Sequence, residues 1–446
     1  MSFKKTVTMG VLSLGISLGA QAASCPTGTT SLGEINGFNT CALKGKYTQD
    51  VTLTSDNRYV LQGGVFIGND NKNNSTLSIQ PGTVLYGQSG ADFLVVTRGS
   101  KLIAEGTKEA PIRFTAAKDS GRRRGEWGGL IINGNAPINS CKTETTAFCE
   151  AEGEGSTGLY GGTDAMDNSG VLKYVVVEFA GYEITPDNEL NGIAFQGVGA
   201  GTTVDYIQVH MNADDGVEFF GGTVNAKHIV LTGNKDDSLD WTSGYTGNIQ
   251  YVVVEQYDDQ GNNGIEADNL KSPMNAQPRS NPTLSNMTFI GTSSSAAKGG
   301  NGILLRRGSG AQVYNTILTG FKKSCIDFDD EETFQNGGNV NSDSSVTAMG
   351  IRFESVIVDC NKNFTLVERN RSGEIVNEPW RIDNFFFSQL GNMNVDPMLK
   401  GYMPQAGSPA LGAGVTPMDL FFDEVDYIGA MKDYDWTAGW TTHARD

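Results

Sequence analysis

The sequence predicts an all-β solenoid, in which short strands wind as stacked coils, and three observations carry that prediction. First, one phrase returns six times: Asn191-Gly192-Ile193-Ala194-Phe195, Asp215-Gly216-Val217-Glu218-Phe219, Asp237-Ser238-Leu239-Asp240-Trp241, Asn263-Gly264-Ile265-Glu266-Ala267, Asn301-Gly302-Ile303-Leu304-Leu305 and Ser324-Cys325-Ile326-Asp327-Phe328. Second, counting from Gly192, successive copies begin 24, 22, 26, 38 and 23 residues on. That period is too short for a propeller blade, and it is filled with β-branched residues rather than helical heptads. Third, a further strand follows several copies: Tyr206-Ile207-Gln208-Val209-His210, His228-Ile229-Val230-Leu231-Thr232, Tyr251-Val252-Val253-Val254-Glu255 and, less cleanly, Asn315-Thr316-Ile317-Leu318-Thr319. One coil therefore holds at least two strands.

The first 22 residues read as a secretory signal: Lys4 and Lys5, an apolar run from Val7 to Leu18, then Ala20-Gln21-Ala22 as a small-x-small cleavage site. No later stretch approaches the roughly 18 to 20 apolar residues of a membrane-spanning helix. The expected destination is extracellular, outer-membrane-surface or periplasmic. A lipid anchor at Cys25 is disfavoured, because Ala22 sits where such signals prefer Leu. Residues 23–75 lack a clean repeat and suit an N-terminal cap over the first coil's open edge. The coils are expected over 76–430, followed by a tail, 431–446.

Within that span, Ile79-Gln80-Pro81-Gly82-Thr83-Val84-Leu85, the run Leu94 to Thr107, Ala110-Pro111-Ile112-Arg113-Phe114-Thr115-Ala116 and Gly125-Glu126-Trp127-Gly128-Gly129-Leu130-Ile131-Ile132 closely resemble the opening coils of right-handed parallel β-helix proteins of bacterial surfaces. Val395-Asp396-Pro397, the run Ala406 to Gly414 and Tyr427-Ile428-Gly429-Ala430 resemble the closing segment of the same pectate-lyase-like superfamily. The resemblance implies a right-handed parallel β-helix and leaves the activity open, since that group holds lyases, glycosidases, epimerases and non-catalytic adhesins. Roughly 350 helical residues at about 25 per coil allow about 14 coils at most. Three inserts, 133–170, 269–283 and 361–392, interrupt the coils, and solenoid loops often gather specificity on one face.

Lys and Arg total 33 against 51 acidic residues, and loss of Lys4 and Lys5 takes the net charge from -18 to 31 − 51 = -20. Such a surface repels nucleic acid and anionic membranes, and polyanionic sugars as well unless cations intervene. The six cysteines fall in local couples, Cys25 with Cys41, Cys141 with Cys149 and Cys325 with Cys360, as an oxidising compartment would have them. No Cys or His spacing suggests zinc. Glycine, at 57 of 446 residues, marks frequent tight turns.

Strand alternation divides the repeats into columns. Ile193, Val217, Leu239, Ile265, Ile303 and Ile326 should stack inward, as should Phe195, Phe219, Trp241, Ala267, Leu305 and Phe328. The residues between them, Ala194, Glu218, Asp240, Glu266, Leu304 and Asp327, should face solvent about 4.8 Å apart. Stacked like charges at that spacing repel unless a cation intervenes. The adjoining turns add Asp214, Asp215, Asp236, Asp237, Asp258 and Asp259, which makes bound calcium the natural candidate cofactor, since it takes six to eight oxygen ligands in loose geometry. The plainer alternative is that these Asp and Asn side chains simply bend the chain.

In the second strand Val175, Val177, Ile207, Val209, Ile229, Leu231, Val252 and Val254 should point inward, which places Tyr174, Tyr206, His228 and Tyr251 outside, beside Glu178, His210, Thr232 and Glu255. An open aromatic ladder beside carboxylates suits a glycan, whose C–H groups stack on ring faces. The alternative is that the 133–170 insert packs over the tyrosines.

These columns predict a non-catalytic, calcium-stabilised protein that binds an extracellular glycan or surface protein. The competing class is a glycoside hydrolase acting on a neutral polysaccharide, with Asp215, Glu218, Asp237 and Asp240 as its acids. Adjacent rungs easily supply the roughly 5 to 9.5 Å carboxylate separation that hydrolysis needs. Asp214-Asp215-Gly216-Val217 resembles the paired-Asp turn of polygalacturonase-type enzymes, but no Gly-His-Gly or Arg-x-Lys partner follows. A lyase base is also unsupported, because Arg306 and Arg307 lie beyond Leu304, which breaks the acidic stripe. A third class is a structural or partner-docking module with the tyrosines as its interface.

Overall fold

The computed structural model describes residues 24–141, 149–185, 188–295, 297–338, 350–369, 375–376 and 378–446. The expected signal segment lies outside these residues. Among the described residues, 24 of 32 strands belong to one sheet wound as a parallel β-helix. One ladder stacks Phe93–Val96, Gly129–Asn133, Ile193–Gln196, Val217–Phe220, Leu239–Thr242, Ile265–Ala267, Asn301–Leu305 and Ser324–Phe328, all parallel. Its register is the one the repeat predicts. Ile193 pairs with Val217, then Leu239, Ile265, Ile303 and Ile326, and this column and the Phe195–Phe328 column are wholly buried. Trp241 is core, with its indole N–H given to Ser309 Oγ at 3.0 Å.

A second ladder stacks Gly170–Glu178, Thr203–His210, Asn225–Thr232, Asn248–Glu255, Thr283–Ile290, Ala311–Thr319 and Ile351–Asp359. Each of these strands bends sharply at one residue with positive φ: Tyr174 (49°), Tyr206 (53°), His228 (53°), Tyr251 (65°), Asn286 (58°), Asn315 (45°) and Ser355 (56°). The bend turns the chain from one flat side of the coil to the next. It also resets the alternation, so that inward residues flank the corner three apart, as Leu172 and Val175 or Ile249 and Val252 do. A non-glycine residue in this region is costly, and the repetition of the corner in seven coils shows that the stack holds it there.

The boundaries differ from those expected. Parallel pairing starts between Phe38–Tyr47 and Arg58–Ile67, where Thr40 faces Arg58, so the coils begin well inside 23–75. Of the strands described within 23–75, Thr30–Ile35, antiparallel to Phe38–Tyr47, stands outside them. At the other end the last ladder pairing is with Met393–Asn394, and residues 395–446 fold back over the outside of the coils. This segment's Ala430, Met431, Trp436 and Trp440 pack on the outer face around Val176, Val230 and Val253, and its Ala410 and Ile428 on Ile317 and Ile357.

Cys25–Cys41, Cys141–Cys149 and Cys325–Cys360 are disulfide-bonded, which fits an oxidising, extracellular type of compartment. Among the described residues no helix is long and apolar enough to cross a membrane.

Candidate functional site

Both outward columns named by the sequence exist in register, and both are covered. Tyr174, Tyr206 and His228 stack face to face, with ring centroids 4.5 and 4.1 Å apart, and His228 meets Tyr251 at 4.8 Å. The expected open platform is corrected on two counts. Rings stacked at the rung spacing spend their faces on one another and present only edges outward. Those edges are then met by the indoles of the returning segment: Trp440 stands perpendicular to Tyr174 and Tyr206, and Trp436 to Tyr206 and His228. Edge-to-face contact of this kind is the favoured aromatic arrangement. The cover is thus the C-terminal segment and not the 133–170 insert.

The polar residues of this column have intramolecular partners. Arg113 donates to Glu178 Oε1 at 2.9 Å, and Tyr402 donates its hydroxyl proton to Glu255 at 2.6 Å. His210 is fully buried, with Nε2 2.7 Å from the Ala444 carbonyl and Nδ1 2.7 Å from Thr232 Oγ1. The carbonyl can only accept, so Nε2 carries the proton and Nδ1 accepts from the Thr232 hydroxyl. Burial lowers the His210 pKa to about 4 and keeps the ring neutral.

Four carboxamides that sequence reasoning passed over do most of the fastening. Gln208 accepts from Thr442 N–H and donates to Thr442 C=O, both at 2.8 Å. Gln250 does the same to Asp423 at 2.9 and 3.2 Å, and Asn315 to Val415 at 2.8 and 2.5 Å. Asn286 donates to the carbonyls of Tyr427 and Gly429. Each amide pairs with backbone groups of the returning segment and so ties it to the coils. An amide-bearing residue at a corner or outward position in successive coils was the available signal.

The acidic column runs along the first ladder, with Glu218 opposite Asp240 and Asp240 opposite Glu266. It too was expected to face solvent, and it does not: Ala194, Asp240, Leu304 and Asp327 are all buried. The cover over its first coils is the 133–170 insert, whose Ile138, Ala151 and Tyr160 pack on Val95, Ile131, Ala194 and Phe220.

The six proposed metal ligands do not form one group. Asp258 pairs with Arg445 and Asp259 with Arg124, which takes both out of the row. Asp236 accepts from Asn262 Nδ2 at 2.7 Å. Asp214 stays beside the row, its carboxyl pushed to about 7 by burial and by Asp236 and Glu189.

Asp215, Asp237 and Asp240 do converge. Their ligand oxygens lie within 4.8 Å of one another, and all three residues are buried. The two turn residues also tie the coils together, Asp215 Oδ1 accepting from Asp237 N–H at 2.9 Å and Asp237 Oδ1 from Asn263 N–H at 2.6 Å. Asn263 continues this to Asn301 N–H at 2.9 Å. In the repeated phrase Asp215, Asp237 and Asn263 therefore form a ladder in which each side chain caps the next coil's backbone.

Burial first, and neighbouring carboxylates second, hold Asp215, Glu218, Asp237 and Asp240 well above the ordinary carboxylate range. Glu154, which the sequence did not single out, is carried over the row by the insert and pushed to about 8 by burial, Asp214 and Glu189. Glu266 reaches about 7 although Arg306 contacts it. Among the described residues no Lys or Arg pairs with Asp215, Glu218, Asp237 or Asp240. Asn191 donates to Glu218 at 2.6 Å, while its own Oδ1 is buried without a partner.

The family model for the pectate-lyase-like β-helix domain matches residues 45–385. The chain belongs to that family. Neither the curated proteins nor the solved structures gave a match. For this pectate-lyase-like β-helix protein the family supplies the architecture, while its chemistry has to be argued from the acid row.

Proposed function

We propose that this is an exported, surface-associated and non-catalytic β-helix protein whose acid row holds a calcium ion. The observation that carries the reading is the cluster of Asp215, Asp237 and Asp240, three buried carboxylates within 4.8 Å and without a cationic partner among the described residues. Oxygens that close can share one calcium at about 2.3–2.6 Å each, and a hard divalent ion suits an all-oxygen donor set. Glu218 and the unpartnered Asn191 Oδ1 are the neighbouring oxygens that could complete it. The ion would supply charge neutralisation, allowing all the acids to ionise at once. Asp215 and Asp237 already bond the next coil, so the same ion would rigidify the turns between coils. Glycan stacking on the tyrosine column draws no support from rings that are edge-on and covered.

The test is thermal melting of the disulfide-intact protein with calcium and with chelator. Saturation a hundredfold above Kd contributes about 2.7 kcal/mol, which appears as a rise in the melting midpoint. Identical midpoints in both buffers would refute the calcium assignment.

The hydrolase reading keeps one point in its favour: Glu154, protonated to about pH 8, lies over Glu218, as a general acid would over a second carboxyl group. Reducing-sugar release abolished by Glu218→Gln would establish it and overturn the non-catalytic reading.

A further inference from the structure

The element that covers the acid row is fastened less completely than the coils beneath it. Within the 133–170 insert, Ala151–Glu152 and Leu159–Tyr160 make an antiparallel hairpin outside the large sheet, with Glu154–Ser156 as its tip. Ala151 and Tyr160 pack on the coil surface. Asn133 Nδ2 donates to Thr157 C=O at 3.0 Å, Gly155 N–H to Asn188 Oδ1 at 2.7 Å and, at the base, Arg98 Nη1 to Gly161 C=O at 2.9 Å. Two coil residues in this contact are left short. Asn133 Oδ1 and Gln196 Oε1 are buried without partners, and a Cβ on Gly153 would collide with that Gln196 oxygen. Orphan acceptors of this kind weaken a contact. Gly161, at φ 96°, gives the foot of the hairpin a backbone conformation that a side chain would strain.

The tip brings Glu154 among the acids. Burial, Asp214 and Glu189 raise its carboxyl to about 8, and after burial Glu154 is the group that most raises Glu218. At the base of the hairpin Glu150 is paired with Arg98, whereas among the described residues no Lys or Arg pairs with Glu154. A second unbalanced group lies alongside. Asn191 is buried, gives Nδ2 to Glu218 at 2.6 Å and keeps its Oδ1 without a partner. Ionised together, carboxylates so placed repel, and the position of the tip is disfavoured unless a cation lies between them.

We propose that the 151–160 hairpin is a lid which calcium holds shut, with Glu154 as the oxygen ligand that it carries to the ion. The inference rests on the calcium reading of the acid row. Asp215 and Asp237 are fixed by their bonds to the next coil, so their oxygens are in place with or without the ion. Glu154 is instead delivered by an element outside the ladder. An ion that binds the closed lid more tightly than the open one shifts the population by that difference in affinity. Without it, repulsion of Glu154 by Glu218 and Asp214 favours the open lid.

Hydrogen exchange of the full disulfide-bonded chain at pH 8, with calcium and with chelator, tests it. Calcium should slow amide exchange in 151–160 by about tenfold or more, with a much smaller change in Ala311–Thr319. Slowing spread evenly over both segments overturns the lid. Glu154→Gln should weaken calcium affinity in isothermal titration by about tenfold or more and abolish the protection of 151–160. It should still keep a calcium-dependent rise in the melting midpoint, from Asp215, Asp237 and Asp240. Glu152→Gln removes the same charge from an exposed position on the same hairpin, and should leave affinity and protection at wild-type levels. Equal weakening by both variants would reduce Glu154 to a distant charge and overturn its assignment as a ligand. A midpoint that rises with calcium while exchange in 151–160 stays the same sinks the lid alone. A midpoint indifferent to calcium sinks the calcium reading beneath it.

Discussion

The two outward faces of this solenoid have the same covalent logic and opposite electrostatics. On the second ladder every notable polar group, from Gln208 and Gln250 to Glu178 and His210, meets a partner in the protein. On the first ladder Asp215, Asp237 and Asp240 are buried and Glu218 half-buried, and among the described residues none of them forms an ion pair with Lys or Arg. A buried polar surface that is fully satisfied rigidifies the molecule, while a buried row of unpaired carboxyls is costly and persists where something else binds. The comparison separates a lock from a candidate site, although the two looked equivalent as sequence columns.

The largest effect should fall on the lock. Trp440 is buried against the Tyr174 and Tyr206 edges and gives its N–H to Trp436 C=O at 2.9 Å. Trp440→Ala should cost about 3–5 kcal/mol in denaturant unfolding, with no change in any calcium-dependent increment. A calcium increment that disappears with the tryptophan would mean that the two faces are coupled and the comparison is false.

A smaller effect of opposite sign is expected on the acid row. Carboxyls whose folded pKa is raised bind more protons in the native state, so stability falls as pH rises from the ordinary carboxylate value near 4 through about 7–8. His210, depressed to about 4, works the other way between pH 4 and 6.5, but it is one group against several. Metal-free protein should therefore unfold more easily at pH 8 than at pH 5. Asp240→Asn should stabilise the metal-free form at pH 8 by on the order of 1 kcal/mol and abolish the calcium increment. A destabilised Asp240→Asn protein in chelator would show that the row is already neutralised.

The smallest change should come from Asp258→Asn. This residue is paired with Arg445 at the surface, and exposed pairs contribute about 0–1 kcal/mol. Equilibrium unfolding and the calcium shift should both stay close to wild type. A lost calcium shift would return Asp258 to the ligand set from which its ion pair removes it.

The coils were legible because alternation and period are local properties. Ile193 through Ile326 could be aligned by eye, and the cysteine couples lay close in sequence. The stacking of the rings was also within reach: aligned aromatics one rung apart have nowhere to put their faces except on each other. What hid it was the corner at Tyr174, Tyr206, His228 and Tyr251, where a left-handed residue breaks the two-residue rhythm.

By itself, then, the sequence determined the winding, its register and which side chains point away from the core, while the cysteine pairing was shown by the structure. Only the tertiary structure decided which outward side chains meet solvent. Alternation is set by bonds one residue apart, whereas cover is set by contacts such as His210 to Ala444, 234 residues distant, which no local pattern records. The same long reach lays the 133–170 insert over the first coils of the acid row, so a stripe expected to be solvated is largely covered.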